Sequence, residues 1–130
     1  MTFVDTSVII DYLSGVDPVV SFVDEQETLL TSSICVYEVL EGEVFGPDEP
    51  DVMACRRSFG RIQALDFDDR IALEAARLQT DLQSRGETLA PRDTMIAATA
   101  RSTGDKLVVA DADFETSALQ DVMAVTNLRS

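Results

Sequence analysis

KLVVAD, residues 106–111, is a short apolar run that ends on an acid. Such a run is typical of a strand buried on both faces of a sheet. The N-terminal segment TFVD, residues 2–5, has the same form, with Asp5 directly after the apolar residues. Helical patterns lie between the two, and short apolar strands alternating with helices predict a parallel α/β sheet with helices on both faces. Ligands bind beyond the carboxyl ends of such strands, which is where Asp5 and Asp111 fall.

Hydrophobic periodicity divides the rest of the chain into further elements. Strands are expected at 2–4, 28–31, 64–67, 106–110 and 123–126, and helices at 7–13, 18–24, 34–45, 52–63, 69–85 and 91–103. Asp68 is expected to cap the longest helix, and Gly86 to end it. The apolar residues of this helix repeat at a spacing that places them on one buried face: Ile71, Ala75, Leu78 and Leu82.

Length and composition bound the class of protein. With 130 residues the chain is expected to form a single domain, residues 1–130, and 45% hydrophobic residues exclude an intrinsically disordered chain. There is no apolar run of about 18 residues and no basic leader, so neither a membrane-spanning nor a secreted protein is expected. We therefore expect a cytoplasmic location.

The charge is strongly negative and unevenly placed. The chain has 24 acids and 10 bases, a net charge of −14, and residues 1–55 hold 12 acids and no Lys or Arg. This balance argues at first against a nucleic-acid binder, which normally presents a basic face. An acid-rich chain with Lys106 as its only lysine suggests instead a halophile, whose salt-rich cytoplasm screens self-repulsion.

The scarcity of His and Cys excludes several chemistries. The chain has no His, which rules out Ser-His-Asp and Cys-His catalysis and makes a zinc site untenable. Cys35 and Cys55 are the only cysteines, and no CxxC motif occurs. Both are expected to be buried, reduced thiols.

Four acids stand where a solvated surface charge is not the simplest explanation: Asp5, Glu38, Asp93 and Asp111. Each also has a purely structural interpretation. Asp5 could cap the following helix, and Glu38 could reach water at a helix edge. Asp93 would be favoured in a first helical turn by the helix dipole, and Asp111 with Asp113 could form a turn.

Taken together, the four acids point to a metal. Several carboxylates cannot share a site in the ionised form without a counter-charge. Since His is absent and Lys106 is the only lysine, a hard divalent cation is the natural partner, and an all-oxygen site favours Mg²⁺ or Mn²⁺. Such an ion can also bridge an acidic protein to a phosphate backbone, so the net charge ceases to exclude nucleic-acid chemistry.

Four motifs resemble those of the PIN-domain family, and within it the VapC-type toxins of toxin–antitoxin pairs. These are FVDTSVIID at 3–11, SSICVYEVLEG at 32–42, RDTMIAATA at 92–100 and LVVADADF at 107–114. Their order and spacing match over nearly the whole chain. One departure is Val109, which stands where the family often has Thr. The resemblance implies a three-layer α/β/α PIN-like fold with a central, mainly parallel sheet.

The resemblance also implies an activity, that of a Mg²⁺- or Mn²⁺-dependent endoribonuclease held in check by a small antitoxin. Asp5, Glu38, Asp93 and Asp111 fall on the family's acidic positions. Asp5 and Asp93 would be direct metal ligands, while Glu38 and Asp111 would act through water.

Three further residues fall on supporting positions of the family. Asp113 falls on a position that is often acidic and sometimes assists. Ser7 or Thr6 would supply a hydroxyl that supports the first Asp or a metal-bound water.

Partners follow from the same resemblance. RNA is the expected substrate, a homodimer is expected, and the apolar segments 7–13, 19–23 and 34–40 either form the antitoxin groove or simply pack in the core. Arginines would have to hold the RNA in place of lysines, unless they are ordinary surface charge: Arg56, Arg57, Arg61, Arg85, Arg92 and Arg101.

Three alternatives stay open. The chain could be a PIN-domain nuclease of RNA maturation or quality control without an antitoxin, or a catalytically inactive binding module. A phosphorelay receiver also clusters carboxylates on an α/β sheet. It is disfavoured because Asp5 stands alone after its strand and Lys106 begins its strand.

Overall fold

A computed structural model describes residues 1–111, 114 and 116–129. A five-stranded sheet forms its centre, with all paired strands parallel and in the order β3-β2-β1-β4-β5. The strands are β1 (Thr2–Val4), β2 (Leu29–Ser32), β3 (Ile62–Leu65), β4 (Lys106–Val109) and β5 (Val125–Asn127).

Helices connect the strands and cover the sheet. In the described residues they are α1 (Thr6–Leu13), α2 (Asp17–Glu25), α3 (Ser33–Val44), α4 (Val52–Ser58), α5 (Asp69–Ser84), α6 (Pro91–Thr103) and α7 (Ser117–Val122). Helices α1 to α4 contact one another, as do α5 to α7. Right-handed crossovers place these two groups on opposite faces, because the chain first moves outward from β1 and then returns to its other side. The expected three-layer α/β/α architecture is confirmed.

The strand order creates a switch point between β1 and β4. The chain starts in the middle of the sheet, runs to β3 at one edge, and resumes at β4 on the other side of β1. Val4 pairs with Val108, and the amide of Asp5 donates to the carbonyl of Val108 at 3.2 Å. The segments that follow β1 and β4 therefore leave the sheet side by side, which opens a crevice between them.

The core consists of the strands and the inward faces of the helices. The predicted face of α5 is confirmed, since Ile71, Ala75, Leu78 and Leu82 are all buried. Asp68 caps that helix by accepting a hydrogen bond from the amide of Ile71 at 3.0 Å.

Three boundary predictions were wrong. The helix expected at 52–63 ends at Ser58, and β3 begins at Ile62, two residues before its predicted start. Helix α7 was not predicted. Strand β5 begins at Val125, two residues after its predicted start. Both cysteines are free as expected, but Cys55 is partly exposed whereas Cys35 is buried.

Among the described residues no single helix is long and apolar enough to cross a bilayer, and α1 and α2 pass that test only as a pair bent by 108°. Val8, Ile9, Val19 and Val23 of this pair are fully buried in the core.

Candidate active site

A cavity of about 180 Å³ opens at the carboxyl ends of β1 and β4. All four acids singled out in the sequence line it, namely Asp5, Glu38, Asp93 and Asp111. The hydroxyl residues Thr6 and Ser7 and the apolar residues Ile10, Ile96 and Phe114 complete the lining. The structure thus brings together side chains from four separate parts of the chain. The chemical roles of the four acids stay predictions.

Asp5 is the buried acid of this group, with 2% of its surface exposed. It ends β1 and caps α1, since its Oδ1 accepts from the amide of Val8 at 3.2 Å and from Oγ of Ser7 at 2.6 Å. Burial raises the pKa of Asp5 to about 7; hydrogen bonds from Ser7 and Val8 oppose that rise, and the charges of Asp111 and Asp93 add to it. The capping interpretation of Asp5 is therefore correct but incomplete, because a cap needs neither burial nor two neighbouring acids.

The two hydroxyls serve different acids. Ser7 Oγ donates to Asp5 and accepts from the amide of Ala110 at 2.9 Å, which ties the start of α1 to the end of β4. Thr6 Oγ1 donates to Oε1 of Glu38 at 2.7 Å. The sequence left open which of the two supports the first Asp, and the structure places Ser7 there.

Glu38 projects from α3 and is fixed from both sides. Its Oε1 accepts from Thr6, and its Oε2 lies 3.1 Å from Nη1 of Arg92 on α6. The two helix layers meet at this point, where α3 contacts α6. Glu38 thus has a cationic partner. The causes that set the pKa of Asp5 include no such cation.

Asp93 and Asp111 complete the acidic wall. Asp93 lies in the first turn of α6, after Pro91 has started the helix. Asp111 follows β4, and its carbonyl accepts from the side-chain amide of Asn127 at 2.7 Å. Asp113, the expected supporting acid, lies outside the described residues.

The donor set fits a hard divalent cation. Among the described residues, every charged group that lines the cavity is a carboxylate. Burial together with two like charges penalises ionisation of Asp5, a penalty that a cation would relieve. Among the described residues no three His, Cys, Asp or Glu side chains form a preassembled metal cluster. Mg²⁺ does not require one, because it keeps several waters and is held by one or two carboxylates.

Sequence reasoning did not find two contacts that shape this site. The pairing of Arg92 with Glu38 joins residues 54 positions apart, and no local pattern reports it. Asn127 reaches Asp111 across the sheet because β5 pairs with β4, with Val109 opposite Asn127. Its position at the end of the last strand was the only available signal.

Comparison with known proteins agrees with this geometry. Residues 2–118 match the sequence model of the PIN domain. No curated protein matches the chain by sequence.

Solved structures share the fold over almost the full chain. FitAcB from Neisseria gonorrhoeae has a TM-score of 0.80 at 26% identity, covering 98% of each chain. VapBC-5 from Mycobacterium tuberculosis, a member of a family of toxin–antitoxin systems, has a TM-score of 0.69 at 26% identity, covering 99% of this chain and 98% of that chain. DNA-bound VapBC from Salmonella typhimurium has a TM-score of 0.80 at 20% identity, covering 98% of this chain and 97% of that chain, a likeness of fold alone.

Proposed function

Because the chain belongs to the PIN domain family, whose members are nucleases, we propose that it is a divalent-metal-dependent endoribonuclease and the toxin of a type II toxin–antitoxin pair. The cavity that collects Asp5, Glu38, Asp93 and Asp111 at the switch point of the sheet carries this proposal. The reaction is hydrolysis of an RNA phosphodiester, in which water attacks phosphorus and a ribose oxygen leaves. RNA as the substrate implies action in the cytoplasm.

The four acids divide into two pairs in the proposed mechanism. Asp5 and Asp93 would hold the metal, and a bound Mg²⁺ or Mn²⁺ would supply Lewis-acid stabilisation of the charge that builds up on the phosphate. Glu38 and Asp111 accept hydrogen bonds from water and orient the attacking molecule. Glu38 suits this part because Thr6 holds its Oε1 in place, while lone pairs on its oxygens stay available for water.

The hydroxyls act as positioning groups. Ser7 holds Oδ1 of Asp5 and thereby fixes the direction in which its second oxygen points. Because Ser7 also binds the amide of Ala110, it sets the spacing between the segments that carry Asp5 and Asp111.

A groove beside the cavity supports a protein partner. It lies between α1, α3 and α4, has a volume of about 300 Å³, and is lined in part by Leu13, Val39 and Cys55. Ile10 and Glu38 line both the groove and the acidic cavity. A segment bound in the groove would therefore lead directly to the carboxylates.

The chemistry of that partner follows from charge. Residues 1–55 contribute most of the groove and hold 12 acids but no base. A small antitoxin with an amphipathic, basic segment fits, its apolar side chains in the groove and one Lys or Arg at the acids. The family resemblance implies a homodimer. We expect the second copy to bind at another surface, because two copies of this acidic groove would repel each other.

The partner proposal can be tested by thiol labelling. Burial raises the pKa of Cys35 to about 11, which keeps that thiol protonated, whereas Cys55 is partly exposed in the groove. Maleimide should label Cys55 alone, and the product of a neighbouring small gene should protect it. Unchanged labelling in the presence of that protein would contradict the groove assignment.

The activity test uses purified protein, total RNA and mapped cut ends. We expect cleavage in Mg²⁺ or Mn²⁺ and none in chelator, at low and at high salt. Asp5→Asn and Asp93→Asn should each lower the rate at least 100-fold, while Asp24→Asn, an exposed acid on α2, should not. Undiminished cleavage by the first two variants would refute the assignment. Cleavage without toxicity or a partner would instead indicate a nuclease of RNA maturation.

A further inference from the structure

The structure separates the arginines that were candidates for holding RNA. Arg56 donates to the carbonyls of Phe59 and Ile62 at 3.2 Å each, and its guanidinium lies 4.7 Å from the ring centroid of Phe59. Arg61 donates to the carbonyls of Val23 and Gln26. These two side chains brace the backbone near β3 and are engaged away from the cavity.

Two more arginines form ion pairs with acids outside the cavity. Arg85 lies 3.5 Å from Asp121, and Arg101 contacts Glu74 at 2.8 Å and Asp81 at 3.2 Å. Arg57 is exposed on α4 and lies in no cavity that contains the four acids. Arg92 is different, because its partner Glu38 is itself a wall of the cavity.

Arg92 is joined to the cavity through Glu38 and has hydrogen-bond donors to spare. It precedes Asp93 in the first turn of α6, and its side chain is 56% exposed, against 22% for Glu38. A guanidinium carries five N–H donors, of which one bonds Oε2 of Glu38. Exposed ion pairs of this kind are weak, so the contact can be exchanged for another anion without unfolding anything.

The substrate needs such a cation. An RNA backbone approaching a chain of net charge −14 meets repulsion, most of all at a cavity walled by carboxylates. A metal ion neutralises charge at the bond that is cleaved but leaves the flanking phosphates without a partner. A guanidinium matches a phosphate in both charge and geometry.

We propose that Arg92 is a substrate-binding residue whose guanidinium leaves Glu38 to bind an RNA backbone phosphate flanking the one that is cleaved. This inference rests on the proposed ribonuclease function.

The test measures RNA binding separately from cleavage. A fluorescein-labelled single-stranded RNA is titrated in Ca²⁺, with its integrity checked on a gel, and the dissociation constant is followed as the salt concentration rises. Arg92→Ala should weaken binding about 5- to 10-fold and lower the salt slope by about 0.7, the loss of one phosphate contact. Arg92→Lys should keep the slope with part of the affinity.

Two further variants serve as controls. Arg77→Ala removes an exposed arginine paired with Glu74 on α5 and should change neither quantity. Glu38→Gln removes the competing anion and should tighten RNA binding, but much less so in the Arg92→Ala background, because the gain arises from a released Arg92. Circular dichroism confirms that each variant is folded.

The outcomes separate this inference from the function on which it rests. An unchanged salt slope in Arg92→Ala, or equal losses in Arg77→Ala, would overturn the role of Arg92 even if the protein cleaves RNA. An Arg92-dependent slope in a protein that never cleaves RNA would overturn the nuclease proposal and leave the phosphate contact intact.

Discussion

At the scale of single residues, Asp5 combines stability and chemistry in one side chain. Its pKa is about 7 in the folded protein against an ordinary value of 3.8, because burial penalises the charged form. The folded state therefore binds a proton that the unfolded state has already lost between about pH 4 and pH 7. Without metal, the free energy of unfolding must fall as pH rises through that window.

Replacing this acid by its neutral isostere should remove the penalty. Asp5→Asn keeps an oxygen for Ser7 and Val8 and cannot ionise, so we expect its stability advantage over the parent in chelator to grow by about 2–3 kcal/mol between pH 5 and pH 8. At pH 5 a smaller advantage should already be present, because the unfolded parent has lost the Asp5 proton above its ordinary pKa of 3.8 while the folded parent keeps it. Urea melts at pH 5 and pH 8 check this, and an advantage that does not grow between them would show that Asp5 ionises without cost.

Ser7 should tune the same titration. Its hydroxyl bonds the charged carboxylate of Asp5 and so lowers the pKa that burial raises. Ser7→Ala should shift the pKa of Asp5 further upward, and with it the acid limb of metal-dependent cleavage and the pH midpoint of metal-free stability. Thr6→Val, which removes a bond to Glu38 instead, is the matched control and should leave both midpoints in place.

At the scale of elements, backbone conformation separates two glycines, one at a helix end and one inside a helix. Gly104 ends α6 with φ +74°, a left-handed conformation, whereas Gly42 lies inside α3 with nothing within 4 Å of an added Cβ. Gly104→Ala should destabilise the protein by about 1 kcal/mol, because Cβ strains the left-handed region. Gly42→Ala should stabilise it by about 0.5–1 kcal/mol. Thermal melts of the two variants should move in opposite directions, and a shared direction would contradict the assigned conformations.

Elements defined by local periodicity could be predicted, and those defined by long-range packing could not. The α5 face follows from spacing alone, since Ile71 to Leu82 repeat the helical period and are buried. The boundary between α4 and β3 depends instead on Phe59 and Ile62, both fully buried, and on Arg56 binding their carbonyls. That turn is fixed by contacts the sequence does not display, although Gly60 was a signal that the helix stops.

The candidate site divides in the same way. Asp5 and Asp111 could be predicted because parallel strands bring their carboxyl ends to one edge, whatever lies between them in the chain. The pairing of Glu38 with Arg92 could not, because it depends on how α3 and α6 meet. Arg92 looked like any surface arginine until that meeting placed it 3.1 Å from Glu38.

At the scale of the whole molecule, the effect of the net charge on stability must be distinguished from the effect of an ion bound in the cavity. A net charge of −14 on 130 residues repels itself, and salt shortens the range of that repulsion to about 10 Å at 0.1 M and 3 Å at 1 M. Screening acts mainly on the exposed acids over the whole surface, while a divalent ion bound in the cavity would act through Asp5 and its neighbours. Both effects raise the melting temperature, so an observed stabilisation by MgCl₂ is ambiguous by itself.

Holding ionic strength constant resolves the two contributions. We expect the melting temperature to rise by several degrees between 0.1 and 2 M KCl, because a denser charge in the folded state gains most from screening. At fixed high ionic strength, millimolar Mg²⁺ should raise it further by binding the native state alone. Asp93→Asn should abolish the second increment and keep the first, whereas Asp24→Asn should keep both.

If Asp93→Asn retains the Mg²⁺ increment, the cation binds elsewhere on the acidic surface and the cavity is not the metal site. If KCl has no effect, the acid excess is not an adaptation to a salt-rich cytoplasm, whatever the cavity binds.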